Sequence, residues 1–390
     1  MYPHQSERLT AALDAAGVEA LVATTPANVA YVTGFRSLTH AQLQAPHFGV
    51  FTRRGTALVI PALDVAAVVD EGVDVEHVHC FGEPLASSGE VPGPLVRRVQ
   101  AITARAAPTP AEALSAALES LAVRGGAIAL DEARLPAPDR HQIEMALGPR
   151  HVVAGSAHLD TARRVKAPFE IERLIDALRV AEESLNEVIQ MLKRGVTERE
   201  ATTLYITEIS RRGGDATPSS ITMGDRAGLG AAWPSERALR PGEVVRLDVG
   251  CTYRGYAARV GRTAVLGEPT AEQEAAHGAL QDALAAAVDA ASPGRPARDV
   301  WEAAVGAARA GGALDPNRLG VGHGIGLEAC EMPWITADDA GPLEAGEVLS
   351  IAMAHHALGR HGFLARDTVL VTVAGARVLN RSARGLVSLD

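Results

Sequence analysis

Two arginines at matching points of an internal repeat are the residues of this sequence with the clearest chemical potential. The segments GEVVRLD (242–248) and GEVLSIA (346–352) predict the same strand in two halves of one domain. Each segment is followed by a second apolar strand with an Ala-Arg step, which places Arg259 and Arg366 at equivalent points. Two guanidinium groups so placed could bind a carboxylate, phosphate or sulfonate through paired hydrogen bonds.

The same arginines have an alternative role inside the protein. They could pair with Asp248 and Asp367 and only fill the site. We favour substrate binding, because two buried arginines need more countercharge than a site that has lost its function usually supplies.

A histidine in a glycine-rich segment is the next candidate. His323 lies in the sequence GVGHGIG (320–326), where the glycines let the backbone approach a ligand closely. An imidazole with an ordinary pKa of about 6.5 can act as a general acid or base near neutral pH. The alternative is a histidine that is held by hydrogen bonds and has no role. The segment is not a dinucleotide-binding fingerprint, because its third glycine is misplaced.

Several side chains close in sequence to these groups are weaker candidates. Cys330 could be a nucleophile beside the histidine if positive charge activates its thiol, although a small buried cysteine is the commoner case. Glu331 could orient the histidine or act as an acid or base. Tyr256 and His356 are predicted to line the substrate site.

Helix and strand patterns predict an α/β (α+β) protein with two domains. Alternating helix and strand signals over residues 1–160 indicate a small α/β domain. Residues 161–390 show a helix–helix–strand pattern twice, over residues 170–265 and 270–372. A duplicated unit with an internal pseudo-twofold is the simplest account. Two antiparallel sheets packed together, with the helices outside, would leave a cleft at their junction.

Composition and charge exclude several classes of function. The 390 residues carry a net charge of −10, and no basic patch favours binding to nucleic acid or to an anionic membrane. No apolar run reaches the ~18–20 residues that a membrane-spanning helix needs, and the sequence starts without a secretory signal pattern. The 3 cysteines are far apart, as is typical of a reducing compartment. We therefore expect a cytoplasmic protein with no nucleic-acid or membrane partner.

The order of several motifs resembles the family of creatinase, aminopeptidase P, prolidase and methionine aminopeptidase, which has the pita-bread fold. These motifs are TPANVAYVTGF (25–35), RVKAPFEIE (164–172), DVG (248–250), GY (255–256), RT (262–263), GHGIGL (322–327) and DTVLVT (367–372). They span nearly the whole chain in the order of the family. The resemblance implies a creatinase-like N-terminal domain followed by a pita-bread domain that corresponds to the catalytic one.

The resemblance also implies a metal site that this sequence has altered. Peptidases of the family hold two divalent ions with two aspartates, one histidine and two glutamates. The matching positions carry Asp248, Arg259, His323, Ala352 and Arg366. Guanidinium groups are effectively always protonated and would repel such ions, so we expect no catalytic metal and no other cofactor. Creatinase is a metal-free precedent, although its catalytic histidine and one of its glutamates are absent.

Three functions are compatible with this pattern. The first is a metal-independent enzyme for a small anionic, amino-acid-like substrate, which hydrolyses a C–N bond of amide or amidine type or performs a related lyase or dehydration step. Asp248 and His323 would then transfer protons, while the two arginines hold the substrate. The second is an inactive pseudo-peptidase that serves as a binding or scaffold protein. The third is a metallopeptidase with one rearranged metal.

The resemblance further implies a homodimer. In related dimers the N-terminal domain leans over the cleft of the partner subunit. Arg36, which follows the TPANVAYVTGF motif, would then reach an anionic substrate. A solvated surface arginine is the alternative.

Overall fold

The computed structural model describes residues 3–83, 93–148, 150–312 and 320–390, and the chain forms two compact units, Met1–Arg163 and Arg164–Asp390. No helix in these described ranges combines the length and the apolar composition that crossing a membrane requires.

The N-terminal unit is an α/β layer structure. Its strands are Ala20–Ala23 (β1), Phe48–Thr52 (β2), Gly55–Pro61 (β3), His77–Phe81 (β4), Ala127–Leu130 (β5) and His151–Ala154 (β6). Its helices are Pro3–Ala16 (α1), Pro26–Thr33 (α2), Leu38–Leu43 (α3), Val65–Asp70 (α4), Pro94–Thr103 (α5), Pro110–Ser120 (α6), Ala137–Leu147 (α7) and Ser156–Arg164 (α8). The sheet order is β4-β3-β2-β1-β5-β6, and its aliphatic side chains form one core with α6 and α7.

The C-terminal unit contains two long hairpins and two helix pairs. Its strands are Asp215–Ala216 (β7), Ser220–Met223 (β8), Val244–Tyr253 (β9), Tyr256–Leu266 (β10), Gly320–Gly324 (β11), Glu331–Thr336 (β12), Val348–Ala357 (β13), His361–Thr372 (β14), Gly375–Val378 (β15) and Val387–Leu389 (β16). Its helices are Pro168–Met191 (α9), Glu198–Arg211 (α10), Ala271–Ala290 (α11) and Ala297–Ala310 (α12). Capping boxes at Thr197 and Thr270 open α10 and α11. Two helices followed by strands occur twice, which confirms the predicted duplication.

The two halves share one sheet, with the order β12-β11-β13-β14-β10-β9-β7. The prediction of two separate sheets packed together is wrong in this respect. Hairpins β9–β10 and β13–β14 lie side by side, and the seam between β10 and β14 pairs Gly261 with Arg366. Each hairpin has an edge strand with unpaired backbone groups, and pairing these two edges satisfies some of those groups.

Alternation along the strands separates apolar from polar side chains. On β9, Leu247 and Val249 pack into the core that α9 and α10 cover, and this side of the sheet is called the helix face below. Because successive side chains of a strand point to opposite faces, Arg246 and Asp248 lie on the other side, called the site face. The helix pair α11 and α12 covers the helix face of β13 and β14 in the same way.

The seam depends on the absence of a side chain at Gly261. A Cβ atom there would lie 2.7 Å from Cβ of Arg366 and 2.7 Å from Cγ of Leu364. We therefore expect Gly261→Ala to lower the free energy of unfolding by about 1–3 kcal/mol, as overpacking of a core does. Urea unfolding measures this change.

The matched control is Gly278→Ala in α11, where an added Cβ would meet nothing within 4 Å. That substitution is expected to raise stability by roughly 0.5–1 kcal/mol, because alanine favours a helix interior. Equal stability of the two variants would contradict the close approach at the seam.

Candidate functional site

A single carboxylate on the site face is surrounded by guanidinium groups. Arg259 Nη2 donates to Asp248 Oδ1 at 2.7 Å, and Arg246 Nη2 donates to Oδ2 at 3.1 Å. Arg366 Nη2 lies 3.6 Å from Oδ2. Burial alone would raise the pKa of Asp248, but the charges of Arg366, Arg259 and Arg246 outweigh it and lower that pKa to about 2. Asp248 is therefore ionised at neutral pH and is a weak proton acceptor.

Strand register brings these groups together. Asp248 on β9 is opposite Gly261 on β10, which is opposite Arg366 on β14, and Arg366 is opposite Ala352 on β13. Arg259 lies two residues before Gly261 and therefore on the same face of β10. The row runs across four adjacent strands of the sheet, β13, β14, β10 and β9.

Arg366 does not pair with Asp367, as the internal-pairing alternative required. Asp367 lies on the helix face, where Arg262 Nη2 and Arg384 Nε approach its carboxylate at 3.1 Å and 2.7 Å. Arg262 Nη1 also donates to the backbone carbonyls of Gly261 and Arg366, at 2.8 Å and 2.6 Å. Within the described residues, Arg259 and Arg366 therefore form ion pairs with Asp248 and not with Asp367. The side chains of Arg259 and Arg366 are 24% and 11% exposed.

His323 and Cys330 contact each other. His323 Nδ1 lies 2.9 Å from the carbonyl oxygen of Gly324, and Cys330 Sγ lies 3.4 Å from Nε2. A carbonyl can only accept, so Nδ1 carries the proton and Nε2 accepts from the thiol. Burial lowers the pKa of His323 to about 4, and Arg366 and Arg259 add to that effect. Burial also raises the pKa of the Cys330 thiol against the pull of the same arginines. At neutral pH the pair is a neutral imidazole and a thiol.

Glu331 supports the turn that carries Cys330. Its buried carboxylate accepts a hydrogen bond from Lys166 Nζ at 2.6 Å and one from the backbone NH of Glu328 at 3.0 Å. The ion pair holds the residues between His323 and β12 against the start of the C-terminal unit.

The remaining predicted residues lie at different places. Tyr256 is buried in the core beside α9, and its hydroxyl donates to Glu170 at 3.1 Å. His356 is exposed near the end of β13. Arg36 is exposed between α2 and α3 of the N-terminal unit.

Arg246 and Ser350 are site residues that sequence reasoning missed. Arg246 lies two residues before Asp248 in an apolar strand, and that spacing alone places both on one face. Ser350 holds the equivalent place in the second half, where its hydroxyl accepts from Arg366 Nη1 at 3.2 Å. The sequence contained a signal for Arg246, namely an arginine in the middle of an apolar strand.

Potential metal ligands are sparse at this site. Across the parts of the chain that the structure describes, no three side chains of His, Cys, Asp or Glu gather in a group that could hold a metal ion. Both oxygens of Asp248 already face arginines.

The pKa of His323 is expected to depend on the arginines. In Arg366→Met one positive charge near the imidazole is lost, which makes its protonation easier. The pKa of His323 should therefore rise from about 4 toward 6.5, although burial remains the larger cause of the low value. NMR titration of the ring resonances measures this shift.

Arg384→Met is the control for that titration, since this arginine binds Asp367 on the helix face. It should leave the pKa of His323 unchanged. An unshifted His323 in Arg366→Met would show that the guanidinium does not act on the imidazole.

Comparison with known proteins gives a consistent result for both units. Residues 172–373 match the model of metallopeptidase family M24, and residues 5–165 match the creatinase/prolidase N-terminal domain. An uncharacterised peptidase of Staphylococcus aureus is 32% identical over 222 residues, which are 56% of this chain and 62% of that protein. The Xaa-Pro dipeptidase of Pyrococcus furiosus is 30% identical over 227 residues, 58% of this chain and 65% of that protein. The matched stretch thus spans less than two thirds of either relative.

The fold comparison extends over the whole chain. The crystal structure of an X-Pro aminopeptidase from Thermotoga maritima superposes with a TM-score of 0.81 and 22% identity, covering 98% of this chain and 99% of that chain. This likeness concerns the fold and agrees with the predicted pita-bread architecture. Because the family model covers more than half of the sequence, the chain belongs to metallopeptidase family M24.

Proposed function

We propose that this protein hydrolyses a C–N bond of a small anionic, amino-acid-like substrate without a metal ion. The observation that carries the proposal is the cluster of Arg246, Arg259 and Arg366 around one carboxylate, on the sheet face from which the charges of Arg366 and Arg259 act on His323. A surface with this charge attracts anions and repels divalent cations.

The residues at the site do not fit the metals that the family name implies. Divalent ions in such peptidases need several carboxylate or imidazole ligands on one centre. Asp248 is the one carboxylate within ion-pair distance of these arginines in the described ranges, and its oxygens are engaged. Arg259 and Arg366 are permanent cations. No step of the proposed reaction therefore runs through a metal ion.

The arginines would bind and polarise the substrate. Arg259 and Arg366 are partly accessible and can form charge-assisted hydrogen bonds to a carboxylate of the substrate. Asp248 has a pKa of about 2 and keeps these side chains in place. We therefore assign proton transfer to His323 alone.

Cys330 is the proposed nucleophile. Its Sγ attacks the acyl or amidino carbon of the C–N bond. The thiol proton passes to Nε2 of His323, which lies 3.4 Å from Sγ. His323 then protonates the leaving amine as the C–N bond breaks, which leaves a thioester or its amidine counterpart. Water attacks this carbon, His323 takes the proton of the water, and the thiol is restored. A nucleophile next to an oriented base is the usual arrangement for such a step.

The first functional test is hydrolysis in the absence of metal. Protein dialysed against EDTA should release amines from members of a panel of N-acyl amino acids and anionic dipeptides, and added Mn²⁺, Co²⁺ or Zn²⁺ should not raise the rate. Arg259→Met should lower kcat/KM about 100-fold, because it removes a charge-assisted hydrogen bond to the carboxylate of the substrate.

Arg179→Met, on the exposed side of α9, is the control and should keep full activity. Stoichiometric metal whose removal abolishes activity would overturn metal independence. Full activity of Arg259→Met would overturn the role of the arginines. A folded protein that hydrolyses none of the panel would favour the scaffold function, which the pairing of the arginines with Asp248 also permits.

The second test concerns the thiol. Cys330→Ala should abolish turnover if Sγ forms the covalent intermediate, and mass spectrometry of the quenched wild-type reaction should show the acylated chain. Cys251→Ala is the control, since that thiol is buried on the helix face of β9. Full activity of Cys330→Ala would mean that His323 activates water directly.

The homodimer belongs to this proposal as well. Two copies would place Arg36 of one N-terminal domain at the substrate of the other subunit. Light scattering during gel filtration should give the mass of two chains, and a monomer with full activity would exclude this arrangement.

A further inference from the structure

The two faces of the central strands carry charged clusters with different balances. On the helix face, Arg262 and Arg384 face the carboxylates of Asp367 and Glu182, at N–O distances of 3.1, 2.7 and 3.7 Å. Positive and negative side chains are equal in number there. The cluster is therefore neutral without a further ion.

The cluster on the site face is not neutral. In the described ranges, Asp248 is the one acidic side chain within 4.0 Å of Arg246, Arg259 or Arg366. The neutral imidazole of His323 adds no countercharge. Three guanidiniums against one carboxylate leave two positive charges, and buried charge without a partner is costly.

The exposure of the side chains shows which arginines a ligand can reach. Arg246 is 3% exposed and lies 3.1 Å from Asp248, beneath the surface of the site. Arg259 and Arg366 are 24% and 11% exposed. A ligand therefore meets these two guanidiniums, while the excess of two positive charges is shared by the three arginines around Asp248.

Several donors of these arginines also lack acceptors. The Nε atoms of Arg246, Arg259 and Arg366 and the Nη1 atom of Arg246 are buried without a hydrogen-bond partner in the described structure. An unsatisfied donor on a charged group costs more than a neutral one. Arg259 approaches Oδ1 of Asp248 and Arg366 approaches Oδ2, so the two guanidiniums flank different oxygens. An amino-acid-like substrate that supplies two negative charges carries them as two carboxylates.

We propose that the substrate is a dicarboxylate, namely an N-acyl or N-amidino derivative of a dicarboxylic amino acid, with one carboxylate on Arg259 and the other on Arg366. Arg246 is a positioning residue, since its buried charge offsets part of the negative charge of Asp248 and so contributes to the number of negative charges that the site accepts. The choice of substrate rests on the proposed hydrolysis, whereas the charge preference is a property of binding alone.

Calorimetric binding of unreactive ligands tests this charge preference. Succinate and glutarate should bind the wild-type protein at least about tenfold more tightly than their monoamides, succinamate and glutaramate. In Arg246→Met, Asp248 cancels one of the other arginines, so the preference for the dianion should disappear. Arg246→Lys keeps the charge and should keep the preference. Arg384→Met is the control on the helix face and should also keep it.

Arg259→Met provides a second variant if Arg246→Met does not fold. It should lose the preference for succinate while it still binds succinamate. Equal binding of succinate and succinamate by the wild-type protein would overturn the proposal, as would a preference that persists in Arg246→Met. Sulfate or phosphate bound as tightly as succinate would replace the dicarboxylate with a compact dianion.

The two proposals fail in different ways. A dianion preference in a protein that hydrolyses nothing would support the charge assignment and refute the proposed hydrolysis. Hydrolysis of neutral and singly charged substrates, without any preference for dianions, would support the proposed hydrolysis and refute the charge assignment.

Discussion

A buried carboxylate shared by three arginines is the interaction on which the site depends. Without Asp248, the guanidiniums of Arg246, Arg259 and Arg366 would repel one another on adjacent strands of one sheet. Removing one partner from a buried ion pair typically costs about 3–5 kcal/mol, because the remaining charge is stranded. The register of β9, β10 and β14 delivers all four side chains to the same face. The strand register therefore brings the charged groups together, and their ion pairs in turn stabilise the pairing of these strands.

Arg259 and Arg366 also influence the protonation of the neighbouring groups. They deepen the effect of burial on His323, which stays uncharged at neutral pH. The imidazole is thus free to accept a proton from Cys330, although it is a weak base. An anion on Arg259 and Arg366 would offset their charge and make His323 more basic when a substrate is present. Substrate binding and proton transfer would then be linked through the same electrostatic field.

Much of the fold could be predicted from local sequence signals. The duplicated pattern and the capping boxes are properties of short segments, and both are found in the structure. The prediction that the two Ala-Arg steps are equivalent is wrong, because Arg366 faces Ala352 as Gly261 faces Asp248, and Arg259 lies two residues before Gly261. The joining of the halves into one sheet could not be predicted, because it depends on which strand edges meet. The contact of Cys330 with His323 depends on a turn held by the ion pair of Lys166 and Glu331, whose partners are far apart in sequence. The position of Arg246 on the site face was predictable from the alternation of side chains along the strand. Its ion pair with Asp248 was not.

The arrangement at the seam has a consequence for the divergence of such proteins. Arg262 holds the carbonyls of Gly261 and Arg366 from the helix face, so the main chain there is secured independently of the residue that projects from position 366. A substitution at that position can reverse the polarity of the opposite surface while the scaffold persists. The same backbone can therefore carry acidic, neutral or basic side chains on its site face without a change in the pairing of its strands.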